Sequence, residues 1–246
     1  MITKLDHITI AASDTAAAAK QLETLLARKA DTTSVQLDNL ALELSHSTGK
    51  AGLLALAFAV SDINFAFKAC ERRALNPTQP GQGNTLALDV DAAFGVPVSL
   101  VERAPATSAA ILGEGAVTGL DHVVIRTTYP NRAVALYGAR LGLDLRLDRT
   151  EPKWGTRFMF FRCGDLIIEV VHNLNEEPSD APDKLWGLTW RVNNLEAAHS
   201  RLKALSIDIS EIRTGRKPGT RVFTVRNNTL GVPTLILQPS SASSRD

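Results

Sequence analysis

Leu120-Asp121-His122-Val123-Val124-Ile125 is the stretch that decides the fold, because it recurs 115 positions earlier as Leu5-Asp6-His7-Ile8-Thr9-Ile10. Each copy is rich in apolar and β-branched residues, which predicts a strand. A second pair of matching stretches, Gly95-Val96-Pro97 and Gly231-Val232-Pro233, precedes an apolar run in each case. The chain is therefore expected to consist of two halves that start and finish alike.

Each half is predicted to contain the same unit twice, namely a strand, a helix and then two or three strands. Apolar residues recur at helical spacing near 14–28, 62–74, 131–141 and 194–205, which predicts four helices. The strands that open the four units are predicted at 5–11, 53–60, 120–127 and 185–192. The predicted fold class is α+β, with four βαβββ modules.

The segment between the halves is rich in Ala, Thr, Ser and Gly and contains Pro105, which is typical of a linker. We therefore predict a first domain at 1–104, a linker at 105–118, a second domain at 119–240 and a tail at 241–246.

The charge composition also differs between the halves. Residues 1–119 carry 9 basic and 12 acidic side chains, whereas residues 120–246 carry 18 and 14.

Composition excludes several classes of protein. The chain is 44% apolar and 22% charged, so it can bury a core and is not a disordered chain. Its 27 basic and 26 acidic residues leave a net charge of +1, which argues against nucleic-acid binding through bulk charge. The longest apolar run, at 53–60, is too short to cross a membrane.

Two cysteines, Cys70 and Cys163, lie far apart in the sequence, so a disulfide framework is not expected. Isolated thiols of this kind are typical of a reducing compartment. No apolar segment of a secretory signal is recognisable near the start, and we expect a cytoplasmic protein. The expected partner is a small molecule, with a homodimer left open.

The repeated motif resembles the glyoxalase, bleomycin-resistance and extradiol-dioxygenase superfamily, also called the vicinal oxygen chelate superfamily. The resemblance is carried by Leu120-Asp121-His122 and by Leu136-Tyr137 and Leu141-Gly142 in the helix that follows. It implies that the modules pair into two half-barrel, glyoxalase-like domains, each around a pocket. It also implies a small-molecule enzyme, such as a lyase, an isomerase or a dioxygenase, or a metal-free drug-binding protein.

The resemblance also implies metal ligands on the first and last strands of paired modules. In the second half, His122 and Glu169 occupy two of these four positions, so they are candidates for metal ligands or for a catalytic acid and base. Gly187 and Leu235 occupy the other two, and neither offers a ligand atom. A bound divalent ion would be Zn, Ni, Fe or Mn, and a site without metal is the alternative.

The first half shows the same incomplete set. His7 and Glu43 are in place, whereas Ala55 and Ser99 stand at the other two positions. His7 and Glu43 are therefore weaker metal-ligand candidates, and the first domain is predicted to be structural.

Two further polar residues lie near the final ligand positions. Glu102 and Gln238 each follow the expected position by three residues. A shift of three residues moves a side chain to the opposite face of a strand, unless a bulge intervenes. They would be ligands only with such a bulge.

Strand alternation adds substrate-binding candidates in the second half. Arg126 is predicted to share a face with His122, and Thr189 and Arg191 share a face with Gly187. Because arginine recognises carboxylate and phosphate groups, the substrate is expected to be anionic. Trp190 is a further candidate lining residue. For both arginines, a simple ion pair or a place at a strand end is the alternative interpretation.

Two functions compete on this evidence. The first is a small-molecule enzyme of the superfamily, in which His122 and Glu169 act on an anionic carbonyl or aromatic substrate. The second is a metal-free protein that binds a small molecule. The lack of ligand atoms in the side chains of Gly187 and Leu235 favours this function.

Overall fold

A computed structural model describes residues 1–104 and 106–240 of the 246-residue chain. The predicted tail at 241–246, and Pro105 of the predicted linker, lie outside the described residues. In this part of the chain, no helix is both long enough and apolar enough to cross a membrane.

The first half forms a six-stranded sheet with the strand order β2-β3-β1-β4-β6-β5. Each of its two modules has a strand, a helix and two further strands. The elements are β1 (Ile2–Ala12), α1 (Thr15–Leu26), β2 (Ser34–Gln36), β3 (Ala41–His46), β4 (Gly52–Val60), α2 (Ile63–Arg72), β5 (Thr85–Ala87) and β6 (Val98–Val101).

The second half forms an eight-stranded sheet with the order β12-β13-β14-β11-β7-β10-β9-β8. Here both modules have three strands after the helix, and the helix of the third module continues as a π-helix. The elements are β7 (Val117–Arg126), α3 (Pro130–Val134), the π-helix (Ala135–Arg140), β8 (Asp144–Glu151), a 3-10 turn (Pro152–Trp154), β9 (Thr156–Cys163), β10 (Leu166–Asn173), β11 (Lys184–Val192), α4 (Leu195–Ala204), β12 (Arg213–Thr214), β13 (Arg221–Val225) and β14 (Thr234–Gln238).

These two sheets with few helices confirm the predicted α+β class. After α4, residues 207–212 form no strand, and Ile209 makes an isolated bridge to Val225. The short strand β12 lies just after this segment.

The helices begin where short polar side chains satisfy free backbone N–H groups. Asp14 accepts a hydrogen bond from Ala17 N at the start of α1, and Asp62 accepts one from Phe65 N at the start of α2. Asn194 caps α4 in the same way.

The described residues group into two compact units that each combine parts of both halves. The first unit contains the described residues of 1–8, 54–105 and 122–186. The second unit contains those of 9–53, 106–121 and 187–246. The predicted boundaries of the domains at 104 and 119 stay a prediction.

Glu102 and Gln238 are helix-capping residues. Glu102 accepts a hydrogen bond from Ile63 N, at the first residue of α2, over 2.8 Å. Gln238 accepts one from Leu195 N, at the first residue of α4, over 3.0 Å. Each acceptor satisfies an N–H that has no partner inside its helix, and a shifted metal-ligand role for these residues stays a prediction.

Replacing Gln238 with Ala should lower the free energy of unfolding by about 1 kcal/mol, because Leu195 N loses its acceptor. Gln238→Glu is the matched control, since it keeps the acceptor and adds a negative charge at a helix N-terminus. Urea denaturation measures the free energy of unfolding of both variants. Equal stability of Gln238→Ala and the parent protein would contradict the capping role.

Candidate functional site

The pairing of β7 with β10 brings His122 and Glu169 together. The two strands are parallel, with His122 beside Ile167 and Val124 beside Glu169. Because alternate residues share a face, both side chains project to the same side of the sheet. His122 Nε2 lies 3.3 Å from Glu169 Oε2, and the two side chains are 19% and 12% exposed. The predicted pair therefore exists, and it remains in contact with solvent.

The pair lies on a face of the first unit that carries aromatic, aliphatic and basic side chains, with Arg162 beside Ile167. The antiparallel pairing of β9 with β10 puts Phe160 beside Glu169 and Phe158 beside Val171. On the other face of these strands the side chains are fully buried and form the core; they include Val123, Ile125, Phe161, Ile168 and Val170. The face that carries the pair is thus the more open one.

Sequence reasoning did not identify Phe158 and Phe160 as residues of this surface. The turn Cys163-Gly164-Asp165 gave the necessary signal, because a hairpin at this turn fixes which residues of β9 and β10 oppose each other. Counting back from the observed pair Cys163–Leu166 gives Phe160 opposite Glu169.

Two exposed tryptophans extend this aromatic surface. Trp154 is 45% exposed and packs edge-on against Phe158 with ring centres 5.9 Å apart. The guanidinium of Arg126 stacks over Trp186 at 4.6 Å from the ring centre. It also lies 3.9 Å from Glu176, in a largely exposed pair. Because such a pair contributes roughly 0–1 kcal/mol, an anionic ligand can replace Glu176 at Arg126.

The remaining predicted substrate residues are on the part of β11 that belongs to the second unit. Thr189 and Trp190 are 2% and 1% exposed, so neither side chain is accessible to a ligand in this structure. Trp190 is a core residue. Arg191 is partly exposed, and its backbone carbonyl accepts a hydrogen bond from Thr118 Oγ1. The substrate-binding role of Arg191 stays a prediction.

The donor set does not fit a tightly held metal ion. His122 and Glu169 supply two donor groups, and structural or catalytic zinc sites use three or four protein ligands. At Gly187, an added Cβ would lie 2.8 Å from the carbonyl oxygen of Pro233, so no larger residue fits without a backbone shift. Across residues 1–104 and 106–240, no cluster of three His, Cys, Asp or Glu side chains could hold an ion.

In the first half, His7 takes part in a charged cluster with Asp6 and Arg103. His7 Nδ1 lies 2.9 Å from Asp6 Oδ2, and Arg103 contacts both residues. Burial alone would raise the pKa of the Asp6 carboxyl, but hydrogen bonds from His7 and Arg103 lower it below its ordinary value. Glu43 lies on β3 in the second unit. Metal ligation by His7 and Glu43 stays a prediction.

Both cysteine thiols are buried and free of disulfide bonds. Burial raises the pKa of Cys70 to about 11, and burial together with the nearby Asp165 charge raises that of Cys163 to about 12. Neither thiol forms a nucleophilic thiolate near neutral pH.

Asp6 should make stability depend on pH in the acid range. Its folded-state pKa is below the ordinary value of 3.8, so its contribution is present above that value and is lost as the pH falls towards the folded-state pKa. In Asp6→Asn, this part of the acid sensitivity should disappear, and the free energy of unfolding at pH 7 should fall by about 1–3 kcal/mol.

Urea denaturation between pH 7 and pH 2.5 measures this effect, and Asp144→Asn, which changes a carboxylate that is 60% exposed, is the control. The same pH dependence in Asp6→Asn and in the parent protein would contradict the role of the cluster.

Comparison with known proteins gives one match to a family model. Residues 119–229 match the model described as the Glyoxalase/Bleomycin resistance protein/Dioxygenase superfamily. A search of curated proteins gives no significant match.

Solved structures resemble almost the whole chain at low sequence identity. BphC, a halotolerant catechol dioxygenase, is 13% identical with a TM-score of 0.69, over 97% of this chain and 87% of that chain. A mutant of 4-hydroxymandelate synthase from Streptomyces coelicolor is 13% identical with a TM-score of 0.71, over 97% of this chain and 93% of that chain. The Mn(II)-bound glyoxalase from Novosphingobium aromaticivorans is 15% identical with a TM-score of 0.71, over 96% and 82%. At these identities the likeness is one of fold.

Proposed function

We propose that this protein, whose residues 119–229 match the model of the Glyoxalase/Bleomycin resistance protein/Dioxygenase superfamily, is an enzyme that transfers a proton on a small anionic substrate. The observation that carries the proposal is the half-buried pair of His122 and Glu169, with Nε2 and Oε2 3.3 Å apart. The substrate is an anionic carbonyl or aromatic compound, and the reaction belongs to the lyase or isomerase type. A cytoplasmic location and a homodimer stay predictions from the sequence.

The chemistry follows from the two side chains. A carboxylate accepts a proton, and an imidazole both accepts and donates one, so together they serve as base and acid. Glu169 takes the proton from a carbon next to a carbonyl group, and His122 donates one to the oxygen on which negative charge develops. Because both groups are largely shielded from water, their interaction with the substrate is stronger than at the protein surface.

Arg126 supplies the contact with an anionic group. It lies on the same strand and face as His122, four residues further on, or about 13 Å at ~3.3 Å per residue. The long arginine side chain covers part of this span. The exposed ring of Trp154 and the partly exposed ring of Phe160 pack against the apolar body of the substrate, and buried Phe158 contacts both rings. A substrate that carries a carboxylate and a reactive carbonyl group, separated by an apolar segment, matches this arrangement.

Hydrogen–deuterium exchange tests the proposed proton transfer without requiring the full reaction to be known. The protein is incubated in D2O with 2-oxo carboxylates, including phenylpyruvate, and NMR follows deuterium incorporation next to the carbonyl group. We expect His122→Ala and Glu169→Gln to slow this exchange by about 100-fold or more, as is typical when a general acid or base is lost.

Glu43→Gln is the matched control, because it changes the equivalent glutamate of the first half and should leave the exchange rate unchanged. Circular dichroism checks that each variant is folded. Full exchange activity in folded His122→Ala would contradict the proposal, and so would the absence of exchange with every compound in the parent protein.

A metal-free binding protein is the second candidate function. The specific observation in its favour is the donor set, since Gly187 has no space for a side chain and Leu235 offers no ligand atom. In this case the aromatic surface and Arg126 hold a ligand, and His122 and Glu169 fix its orientation.

Metal content distinguishes this candidate from a metal-dependent enzyme. We expect less than about 0.1 equivalent of Zn, Ni, Fe or Mn after purification without chelator and after incubation with each ion, because two protein ligands bind an ion weakly. Elemental analysis measures it, and His122→Ala is the control for non-specific binding. A full equivalent that disappears in His122→Ala would contradict the metal-free candidate and show that water completes the ligand set.

A further inference from the structure

The opening strands and helices of the first and third modules correspond without a gap at an offset of 115 residues. Their helices start at Asp14 and Tyr129, and both end at a residue with a left-handed backbone, Ala27 and Gly142. Each position of the opening strand and helix of one module therefore has a partner in the other, and their surroundings can be compared residue by residue.

In the first unit, a buried polar trio fills the space beside the start of α3. Asp183 Oδ1 accepts hydrogen bonds from Thr127 Oγ1 and from Arg132, both over 2.8 Å. The Asp183 side chain is fully buried and that of Arg132 is 11% exposed. The Arg132 guanidinium also packs over Phe94 at 5.0 Å. An ion pair from the chain itself thus occupies this place.

In the second unit, all three positions of the trio are alanine. Ala12 and Ala17 correspond to Thr127 and Arg132 at the offset of 115. Ala51 corresponds to Asp183, because each directly precedes the opening strand of the next module.

The packing of two glycines supports the correspondence between Ala51 and Asp183. Gly95 packs against Pro182, next to Asp183, and Gly231 packs against Ala51. These glycines begin the two Gly-Val-Pro stretches, so the same local arrangement recurs in both units. The connection from β3 to β4 is also shorter than that from β10 to β11, spanning 47–51 instead of 174–183.

An open cavity of about 400 Å³ lies in the second unit where these alanines replace the trio. All three alanines line it, and Ala17 and Asp14 are exposed at its edge. Its volume falls within the range of small-molecule sites. Asp14 and Arg226 line it with opposite charges, and Ser13, Gln21, Asn227 and Thr229 add hydroxyl and amide groups. None of these residues belongs to the His122–Glu169 site.

We propose that this cavity binds a small zwitterion of the free amino acid class. The ligand takes the place that the Arg132–Asp183 pair fills in the first unit. Asp14 binds the cationic group of the ligand. Its Oδ1 accepts one hydrogen bond from Ala17 N, and a carboxylate accepts several. Arg226 binds the ligand carboxylate. Its pair with Asp208, at 2.7 Å, is about half exposed, so it costs little to rearrange.

L-arginine is the probe, because it carries a guanidinium group like that of Arg132 and a carboxylate like that of Asp183. Isothermal titration calorimetry with the full-length protein should show saturable binding at one site. Ala17→Arg places a guanidinium inside the cavity and should weaken this binding by about tenfold or more. Ala16→Arg is the matched control, since Ala16 is as exposed as Ala17, lies next to it in α1 and does not line the cavity.

Agmatine, which has the guanidinium group and lacks the carboxylate, separates a zwitterion site from a cation site. We expect it to bind about tenfold more weakly than L-arginine. Asp14→Asn keeps the helix cap and removes the charge, so it should weaken L-arginine binding even if Ala17→Arg does not fold.

Three outcomes would overturn the proposal: no L-arginine binding by the parent protein, parent-like affinity in folded Ala17→Arg, or equal affinities for agmatine and L-arginine. Because the measurement is of binding and not of proton transfer, its result is independent of the proposed catalytic function.

Discussion

The parallel pairing of β7 with β10 is the constraint on which the candidate site depends. It places Val124 beside Glu169, so that His122 and Glu169 meet diagonally on one face. A slip of one residue in this register would turn one side chain into the core and break the pair. The fully buried residues on the opposite face, Val123 and Ile168 among them, help to hold the register because a slip of one residue would expose one strand's share of them.

The repeated module also shows how equivalent positions diverge. In the first unit, Arg132 and Asp183 form a buried pair, and burial raises the pKa of Asp183 in spite of the opposing effect of Arg132 and Thr127. Buried pairs of this kind contribute little net stability, because desolvation offsets their attraction. The equivalent alanines Ala17 and Ala51 avoid that cost and leave a cavity. The two units therefore keep one backbone plan with different interiors.

Most of the fold was predictable from local pattern. The four helices start within one or two residues of their predicted positions, because apolar spacing and a capping side chain such as Asp14 act within a few residues. The site was predictable in part. His122 and Glu169 follow from the repeated motif and strand alternation. The accessibility of Trp190 did not follow, because burial depends on packing by elements distant in sequence.

The sequence by itself determined the repeat, the order of elements and the residue types at each ligand position, since these are properties of neighbouring residues. Only the tertiary structure decided that Glu102 and Gln238 cap helices, that Phe160 lies beside Glu169, and that three alanines border a cavity. Each of these facts depends on a distance between residues far apart in the chain, which strand register and helix packing set after the chain has folded.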